Sequence, residues 1–222
     1  MFSKDWDRIY GKGEQLNAYP YTEVVSFLHR YQMKDVKGIA LDVGCGSGVH
    51  SELMAKIGFK VDAFDASSIV IDYARKKYFS EKAINFVYST TENFNFLHRY
   101  DLVVDRLCTS QTGKRATKNF YDKLSNYLFD NSVLFWQGFC DDNSGRDFAQ
   151  SYDATDGFWS DFTGGEFKDL GCTTFYSKDD VLEIFKNYEI LEFEKVSIID
   201  QLTNYRKNHW QVILKCKEEK KS

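Results

Sequence analysis

Residues 41–48 read Leu41-Asp42-Val43-Gly44-Cys45-Gly46-Ser47-Gly48, an apolar segment that runs into a glycine-rich loop. The apolar segment, from Ile39 to Val43, is typical of a buried strand, and a helix-like pattern follows from Gly48 to Lys56. Glycines between a strand and a helix let the backbone turn sharply and approach a ligand, because no Cβ intervenes. The dinucleotide fingerprint G-x-G-x-x-G would need glycine at Val49, and the Lys-Ser/Thr pair of a P-loop is missing. The loop therefore predicts a ligand site that is not built for nucleotide phosphates.

The pattern of strands and helices continues on both sides of this loop. A strand-like run from Lys60 to Phe64 completes a strand–helix–strand unit, which requires a parallel sheet. The alternation predicts an α/β fold, doubly wound, in which helices cover both faces of the sheet. Further helices are predicted at 68–78, 118–128 and 177–187, and further strands at 85–88, 101–105, 132–138, 189–199 and 209–217.

Composition limits the classes of protein to which the chain can belong. Its 222 residues, 43% of them hydrophobic, suit one domain over residues 1–222 with a large core and exclude a disordered chain. The formal net charge is −4, from 29 Lys and Arg against 33 Asp and Glu. Because nucleic-acid affinity depends on clustered cations, no nucleic-acid partner is expected.

Cysteine and histidine usage points to a reduced protein without a metal. The chain has five cysteines and no C-x-x-C pair, which predicts a cytoplasmic location, and its four histidines are isolated in the sequence. No signal peptide is recognisable in residues 1–13, and no apolar run reaches the roughly 20 residues that span a bilayer. Residues 217–222 are expected to form a frayed tail. These features predict no metal and no membrane association, with either a monomer or a homodimer as the assembly.

A second acidic residue supports a nucleoside-like ligand. Asp65 ends the next strand, 21 positions after Gly44. A carboxylate at this place can accept hydrogen bonds from both hydroxyls of a ribose. A glycine loop for a group without phosphate, together with an acid that holds ribose, indicates an adenosyl ligand that lacks a pyrophosphate.

On these residues the chain resembles the class I S-adenosylmethionine-dependent methyltransferases, over residues 37–217. The resemblance implies a Rossmann-like three-layer sandwich with a mostly parallel seven-stranded sheet and a C-terminal antiparallel strand. It implies S-adenosylmethionine as the methyl donor and S-adenosylhomocysteine as the product. The residues that it assigns to the cofactor are Tyr10, Tyr19, Asp42, Gly44, Cys45, Gly46, Asp65, Ala66, Ser67, Thr90, Thr91 and Asp105.

The resemblance also implies where the methyl acceptor binds. Residues 1–36 resemble a helical cap over the cofactor, and the irregular segment 141–174 is expected to close over the acceptor as a lid. Arg106, Trp159 and His209 are the predicted acceptor contacts, and His209 and Asp105 are the candidate proton acceptors.

The expected reaction is methyl transfer to a small molecule. The sulfonium is a good leaving group, so the protein must mainly align the acceptor and exclude water. An oxygen acceptor on a small polar metabolite is favoured. The metabolite could be anionic, such as a carbohydrate-pathway intermediate, because several cations could meet at the mouth of the site. These cations are Arg106, Lys114, Arg115 and Lys12. Two alternatives stay open: a non-catalytic S-adenosylmethionine-binding or interaction protein, and a dinucleotide oxidoreductase.

Overall fold

The apolar run Ile39–Val43 forms the central strand of the sheet, β1. A computed structural model describes residues 4–217, so the expected tail falls outside the described residues beyond Lys217. Leu41 of β1 pairs in parallel with Asp62 on one side and with Val103 on the other. The glycine loop, residues 44–48, therefore leaves the middle of the sheet at the carboxyl end of its strands.

Seven strands form the main sheet, in the order β3-β2-β1-β4-β5-β10-β9. Strand β10 runs antiparallel to both β5 and β9, and the other neighbouring pairs are parallel. This arrangement confirms the predicted fold, with a two-residue strand β8 added beside β5. The strands are β1 Ile39–Val43, β2 Lys60–Asp65, β3 Ile84–Tyr88, β4 Tyr100–Arg106, β5 Leu128–Cys140, β6 Ser151–Asp153, β7 Phe158–Ser160, β8 Phe175–Tyr176, β9 Tyr188–Ile199 and β10 Arg206–Cys216.

Six α-helices surround the sheet within residues 4–217, and one begins earlier than predicted. Helix α5 starts at Lys114, because Gly113 has extended backbone angles and ends the preceding loop. It ends at Leu124, since Leu128 already belongs to β5. The helices are α1 Asp5–Gly11, α2 Thr22–Arg30, α3 Val49–Lys56, α4 Ser68–Lys77, α5 Lys114–Leu124 and α6 Lys178–Ile184.

Successive residues of a strand face opposite sides of the sheet. Because the central strands are largely apolar runs, both faces of the sheet are apolar. One hydrophobic core joins the strands to α5 and α6 and includes Leu41, Val103 and Trp136. The other joins them to α2, α3 and α4 and includes Ala40 and Phe135. With both faces covered by helices, ligands have access to the sheet at the carboxyl ends of its strands.

Two peripheral segments lie at this carboxyl edge. In the cap, residues 4–36 of the structure, Phe27 of α2 packs on Phe135 with ring centroids 5.3 Å apart. The insertion, residues 141–174, contains the β6–β7 hairpin and packs Phe167 edge-on against Phe175, 5.1 Å between centroids. Within residues 4–217 no helix has the length and apolarity to span a membrane.

Candidate functional site

A cavity of about 380 Å³ opens at the carboxyl edge of the sheet, between the cap and the insertion. The glycine loop, the end of β2, the loop after β3, the end of β4 and both peripheral segments contribute to its walls. Ten residues predicted for the site line it together: Tyr10, Asp42, Gly44, Cys45, Gly46, Asp65, Ala66, Thr90, Thr91 and Arg106.

The glycine loop has a backbone that other residues would strain. Gly44 and Gly46 have φ angles of +65° and +51°, in the left-handed region where a Cβ clashes with the backbone. A Cβ on Gly44 would also lie 2.2 Å from the sulfur of Cys108. The loop can therefore keep its close turn against the end of β4 only with glycine at position 44.

Asp65 lies directly beside this loop. Its Oδ2 accepts a hydrogen bond from the backbone N–H of Gly46 at 3.1 Å, and its Oδ1 accepts one from the N–H of Ser67 at 2.9 Å. Burial raises the pKa of the carboxyl group to about 6, although these backbone hydrogen bonds partly oppose the shift. Asp65 is therefore mostly ionised at pH 7 and has acceptor capacity left for hydroxyl groups.

Asp42 connects the floor of the cavity to helix α3. Its Oδ2 accepts a hydrogen bond of 2.5 Å from the hydroxyl of Ser51. Burial raises its pKa to about 7. Cys45 has a thiol pKa well above the ordinary value, chiefly because of burial, so the thiol is neutral and is not a nucleophile.

The cap closes the cavity over the glycine loop. The rings of Trp6 and Tyr10 pack at a tilt of 36° with their centroids 5.4 Å apart, and both residues line the cavity. The hydroxyl of Ser47 donates to the backbone carbonyl of Asn17 at 2.8 Å, which ties the loop to the cap. Tyr19, predicted to contact the cofactor, is instead 83% exposed and absent from the cavity lining, because its segment turns outward before α2.

A second group of cap residues surrounds Arg106 at the end of β4. The Nε of Arg106 donates to the carboxylate of Glu23 at 2.9 Å. The guanidinium carbon lies 3.2 Å from the centroid of the Tyr21 ring. Burial tends to raise the pKa of Glu23, but a backbone hydrogen bond and Arg106 hold that pKa below its ordinary value. Arg106 is therefore held on one edge and one face.

His50 is a site residue that the sequence analysis missed. It lies at the second position of α3, and its Nε2 accepts a hydrogen bond from the backbone N–H of Tyr21 at 3.3 Å. Burial and the nearby Arg106 lower its pKa to about 4, so the imidazole is neutral near pH 7. Its place in the first turn of α3, directly after the glycine loop, was the available signal, since that turn faces the site.

The wall opposite the glycine loop comes from β5 and the insertion. Phe139 at the end of β5 and Phe167 of the insertion pack edge to face, with centroids 4.8 Å apart. Glu166 lies beside them and accepts a hydrogen bond from the side chain of Asn143 at 3.2 Å. Other lining residues that sequence reasoning missed are Gln15, Asn17, Tyr21, Gln111, Thr112 and Leu170.

Asp105 does not reach the cavity, which corrects its predicted roles as cofactor contact and base. Its buried carboxylate accepts hydrogen bonds from the N–H of Cys108 at 2.9 Å, the hydroxyl of Thr109 at 2.6 Å and the hydroxyl of Tyr121 at 2.7 Å. These partners lie on the α5 side of the sheet. Asp105 therefore shapes the loop after β4, while Arg106, the next residue, turns to the cavity.

Three further predicted residues are also absent from the lining. Ser67 is buried, caps α4 by accepting from the N–H of Val70, and donates to a cap carboxylate. Trp159 packs within the insertion on Tyr152, with centroids 4.6 Å apart. His209 lies on β10 opposite Phe139, outside the lining; burial lowers its pKa.

The predicted cluster of cations does not form at the mouth. Lys114 pairs with Asp180 at 2.6 Å, and Arg115 pairs with Asp156 at 2.6 Å. Within the described chain, Arg106 is the one cationic side chain in the lining. No set of three or more His, Cys, Asp or Glu side chains in residues 4–217 is arranged to hold a metal ion.

Comparisons with known proteins match this chain to methyltransferases. Residues 40–129 match a family model described as a methyltransferase domain. The ribosomal protein L11 methyltransferase of Campylobacter lari is 35% identical over 96 residues, which are 43% of this chain and 32% of the relative. The ubiquinone biosynthesis O-methyltransferase of Shewanella halifaxensis is 44% identical over 66 residues, 28% of each chain. The chain thus spans about a third or less of the length of these relatives.

A solved structure shares the fold over nearly the whole chain. The 1,6-didemethyltoxoflavin-N1-methyltransferase of Burkholderia thailandensis, solved with 1,6-didemethyltoxoflavin and S-adenosylhomocysteine bound, superposes with a TM-score of 0.69. The match covers 97% of this chain and 87% of that protein at 13% identity. At this identity the likeness describes the fold alone.

Proposed function

We propose that this chain is a class I S-adenosylmethionine-dependent methyltransferase that transfers a methyl group from S-adenosylmethionine to a small polar molecule. One observation carries the proposal. The glycine loop and Asp65 line the same continuous cavity as Arg106, Tyr21 and the aromatic wall of the insertion. A donor site and an acceptor site would thus lie next to each other in one cavity.

The cofactor half of the cavity fits an adenosyl group. Asp65 can accept hydrogen bonds from ribose hydroxyls, and Thr90 and Thr91 offer hydroxyls near the end of β3. Gly44 and Gly46 present backbone without a side chain, and Tyr10 lies over Gly46. The volume of about 380 Å³ lies within the range of small-molecule pockets.

When bound, S-adenosylmethionine supplies an electrophilic methyl group on a sulfonium that leaves as a neutral thioether. The chain's part is to align the acceptor and to exclude water. Trp6 and Tyr10 cover the cavity from the cap, and Phe139 and Phe167 close the opposite side. The electron-rich ring faces of the cap aromatics suit a cationic sulfur.

The size of the cavity and its two covers support a compact acceptor. The preference for an oxygen acceptor depended on Asp105 or His209 as a base, and neither lines the cavity. That preference has lost its support, so the proposal does not include it. All five cysteines are free thiols, which supports a reducing compartment such as the cytoplasm.

Calorimetry with S-adenosylmethionine and S-adenosylhomocysteine tests the first half of the proposal. Binding of both in the micromolar range is expected, and binding of NAD in their place would contradict it. The second half is tested by label transfer from S-adenosyl[methyl-¹⁴C]methionine to a low-mass cell extract. Cofactor binding without labelled product would favour a non-catalytic binding protein.

A further inference from the structure

Arg106 is built into the cavity as a fixed, partly accessible guanidinium. Glu23 accepts from Nε at 2.9 Å, and the ring of Tyr21 covers one face at 3.2 Å. Arginine normally loses much rotational freedom when it binds a ligand, so a side chain that is already held in place binds at lower entropic cost.

The terminal nitrogens of this guanidinium make no hydrogen bond to the described part of the chain. The single hydrogen bond of the Arg106 side chain to residues 4–217 is made by Nε. The side chain keeps 22% of its surface accessible and lines the cavity. Two parallel N–H groups of a planar guanidinium match the two oxygens of a carboxylate.

The charges around Arg106 favour a carboxylate over a phosphate. Arg106 is the one cation in the described lining, and Glu23 already offsets part of its charge. His50 is neutral, since its pKa is about 4. A phosphate, with up to two negative charges, would lack a second cation here, whereas a carboxylate needs only one.

We propose that Arg106, held by Tyr21 and Glu23, anchors a carboxylate of the methyl acceptor. This inference rests on the proposed function and names the substrate class of that site. The carboxylate is the anchor and a different atom of the same molecule receives the methyl group, because lone pairs engaged by a guanidinium are poor nucleophiles. The bond forms between that atom and the methyl carbon, the S–CH₃ electron pair stays on sulfur, and any proton lost by the acceptor goes to solvent.

The first experiment identifies the charge of the acceptor. A low-mass cell extract is separated at pH 7 on an anion exchanger, and each pool is incubated with the protein and S-adenosyl[methyl-¹⁴C]methionine. We expect the acceptor in the retained pool, resistant to phosphatase, and a labelled product that is itself retained. An acceptor that is unretained or destroyed by phosphatase, or a product that is a neutral methyl ester, overturns the inference and leaves the proposed function standing.

The second experiment separates anchoring from a structural ion pair. With the retained acceptor pool, Arg106→Met is expected to raise the acceptor KM by about tenfold or more and leave the cofactor Kd unchanged. Arg106→Lys keeps the positive charge but lacks the planar pair of N–H groups. Its acceptor KM should therefore lie between the values of the native protein and Arg106→Met. Glu23→Gln still accepts from Nε but removes the offsetting charge, so its acceptor KM should stay level or decrease.

Arg30 provides a matched control. It pairs with Glu192 at 2.9 Å and lies 6.0 Å from the ring of Tyr31, but it is outside the cavity lining. Arg30→Met should therefore leave the acceptor KM unchanged. An equal increase of the acceptor KM in Arg106→Met and in Glu23→Gln would show that the ion pair only stabilises the position of the cap, and would overturn the inference. Absence of label transfer by a protein that binds S-adenosylhomocysteine would defeat the proposed function and the inference with it.

Discussion

The carboxylate of Asp65 and the backbone N–H of Gly46 are hydrogen-bonded at 3.1 Å, so the end of β2 and the glycine loop form one surface. A ligand that binds the loop must therefore also contact Asp65. A substitution in either element should therefore affect the binding of the same ligand.

Asp65→Asn is expected to weaken the binding of S-adenosylhomocysteine by on the order of 2 kcal/mol, because an amide cannot accept at both of its terminal atoms. Isothermal calorimetry measures the change. Asp72→Asn is the control, since its side chain is 68% exposed on α4. An unchanged Kd for Asp65→Asn would remove the ribose assignment.

Cofactor binding should depend on pH through Asp65, whose pKa is about 6 in the free protein. The ionised form accepts hydrogen bonds, so binding favours it and is weakened as the pH falls below 6. Between pH 7 and pH 5 the affinity should decrease about tenfold, following the ionised fraction. Calorimetric titrations across this range should show the slope in the native protein and a flatter line in Asp65→Asn. The same pH dependence of affinity in the native protein and in Asp65→Asn would show that another group takes up the proton.

Gly44→Ala is expected to abolish cofactor binding and to destabilise the fold. The added Cβ has both a strained φ and a clash with Cys108. Gly13→Ala is the matched control, because Gly13 has a φ of +77° with no atom within 4 Å of the added carbon. It should lose about 1 kcal/mol of unfolding free energy and retain binding. Urea denaturation and calorimetry measure the two effects, and equal behaviour of the two variants would mean that the contact with Cys108 is unimportant.

Asp105→Asn should reduce the free energy of unfolding by roughly 2 to 4 kcal/mol, since the amide must turn a donor toward at least one of several buried donors. The variant tests whether this residue is structural. Urea denaturation gives the stability, and the pH profile of the remaining methyl transfer gives the chemistry. A stable variant whose pH profile loses its acidic limb would restore Asp105 as a base.

His50→Ala is expected to loosen the cap and weaken S-adenosylhomocysteine binding several-fold, because the N–H of Tyr21 loses its acceptor. The effect should not vary between pH 6 and 9, where His50 stays neutral with its pKa of about 4. His29→Ala, on the exposed side of α2, is the control. Stopped-flow measurement of S-adenosylhomocysteine dissociation would show the change. An equal dissociation rate in the native protein and in His50→Ala would exclude a role of the Tyr21–His50 hydrogen bond in holding the cap.

The sequence predicted the parts of the site that lie at the carboxyl ends of neighbouring parallel strands. Glycines at a strand end and an acid at the next strand end must meet, because parallel neighbouring strands share one carboxyl edge. Side-chain direction was the source of error for Asp105. Adjacent residues of a strand face opposite sides, so the carboxylate of Asp105 turns to Tyr121 of α5 while Arg106 turns to the cavity.

The residues missed lie where tertiary packing sets the geometry. Tyr21 and Glu23 reach Arg106 because α2 packs on the sheet through Phe27, a contact between residues far apart in sequence. Ser67 was assigned to the cofactor, but its position before α4 makes it a helix cap. Trp159 pairs with Tyr152 in a hairpin, and Asp156-Gly157 between its strands is a turn signal that the sequence analysis did not use.

The position of β10 between β5 and β9 has a consequence for the order of folding. Among the strands of residues 4–217, β9 joins the main sheet through β10 alone, although it precedes β10 along the chain. During synthesis on the ribosome, β9 must wait for residues 206–216 to emerge before it can pair. Until then β5 has an open edge at Val133–Phe139, a segment open to contacts with chaperones or with other nascent chains.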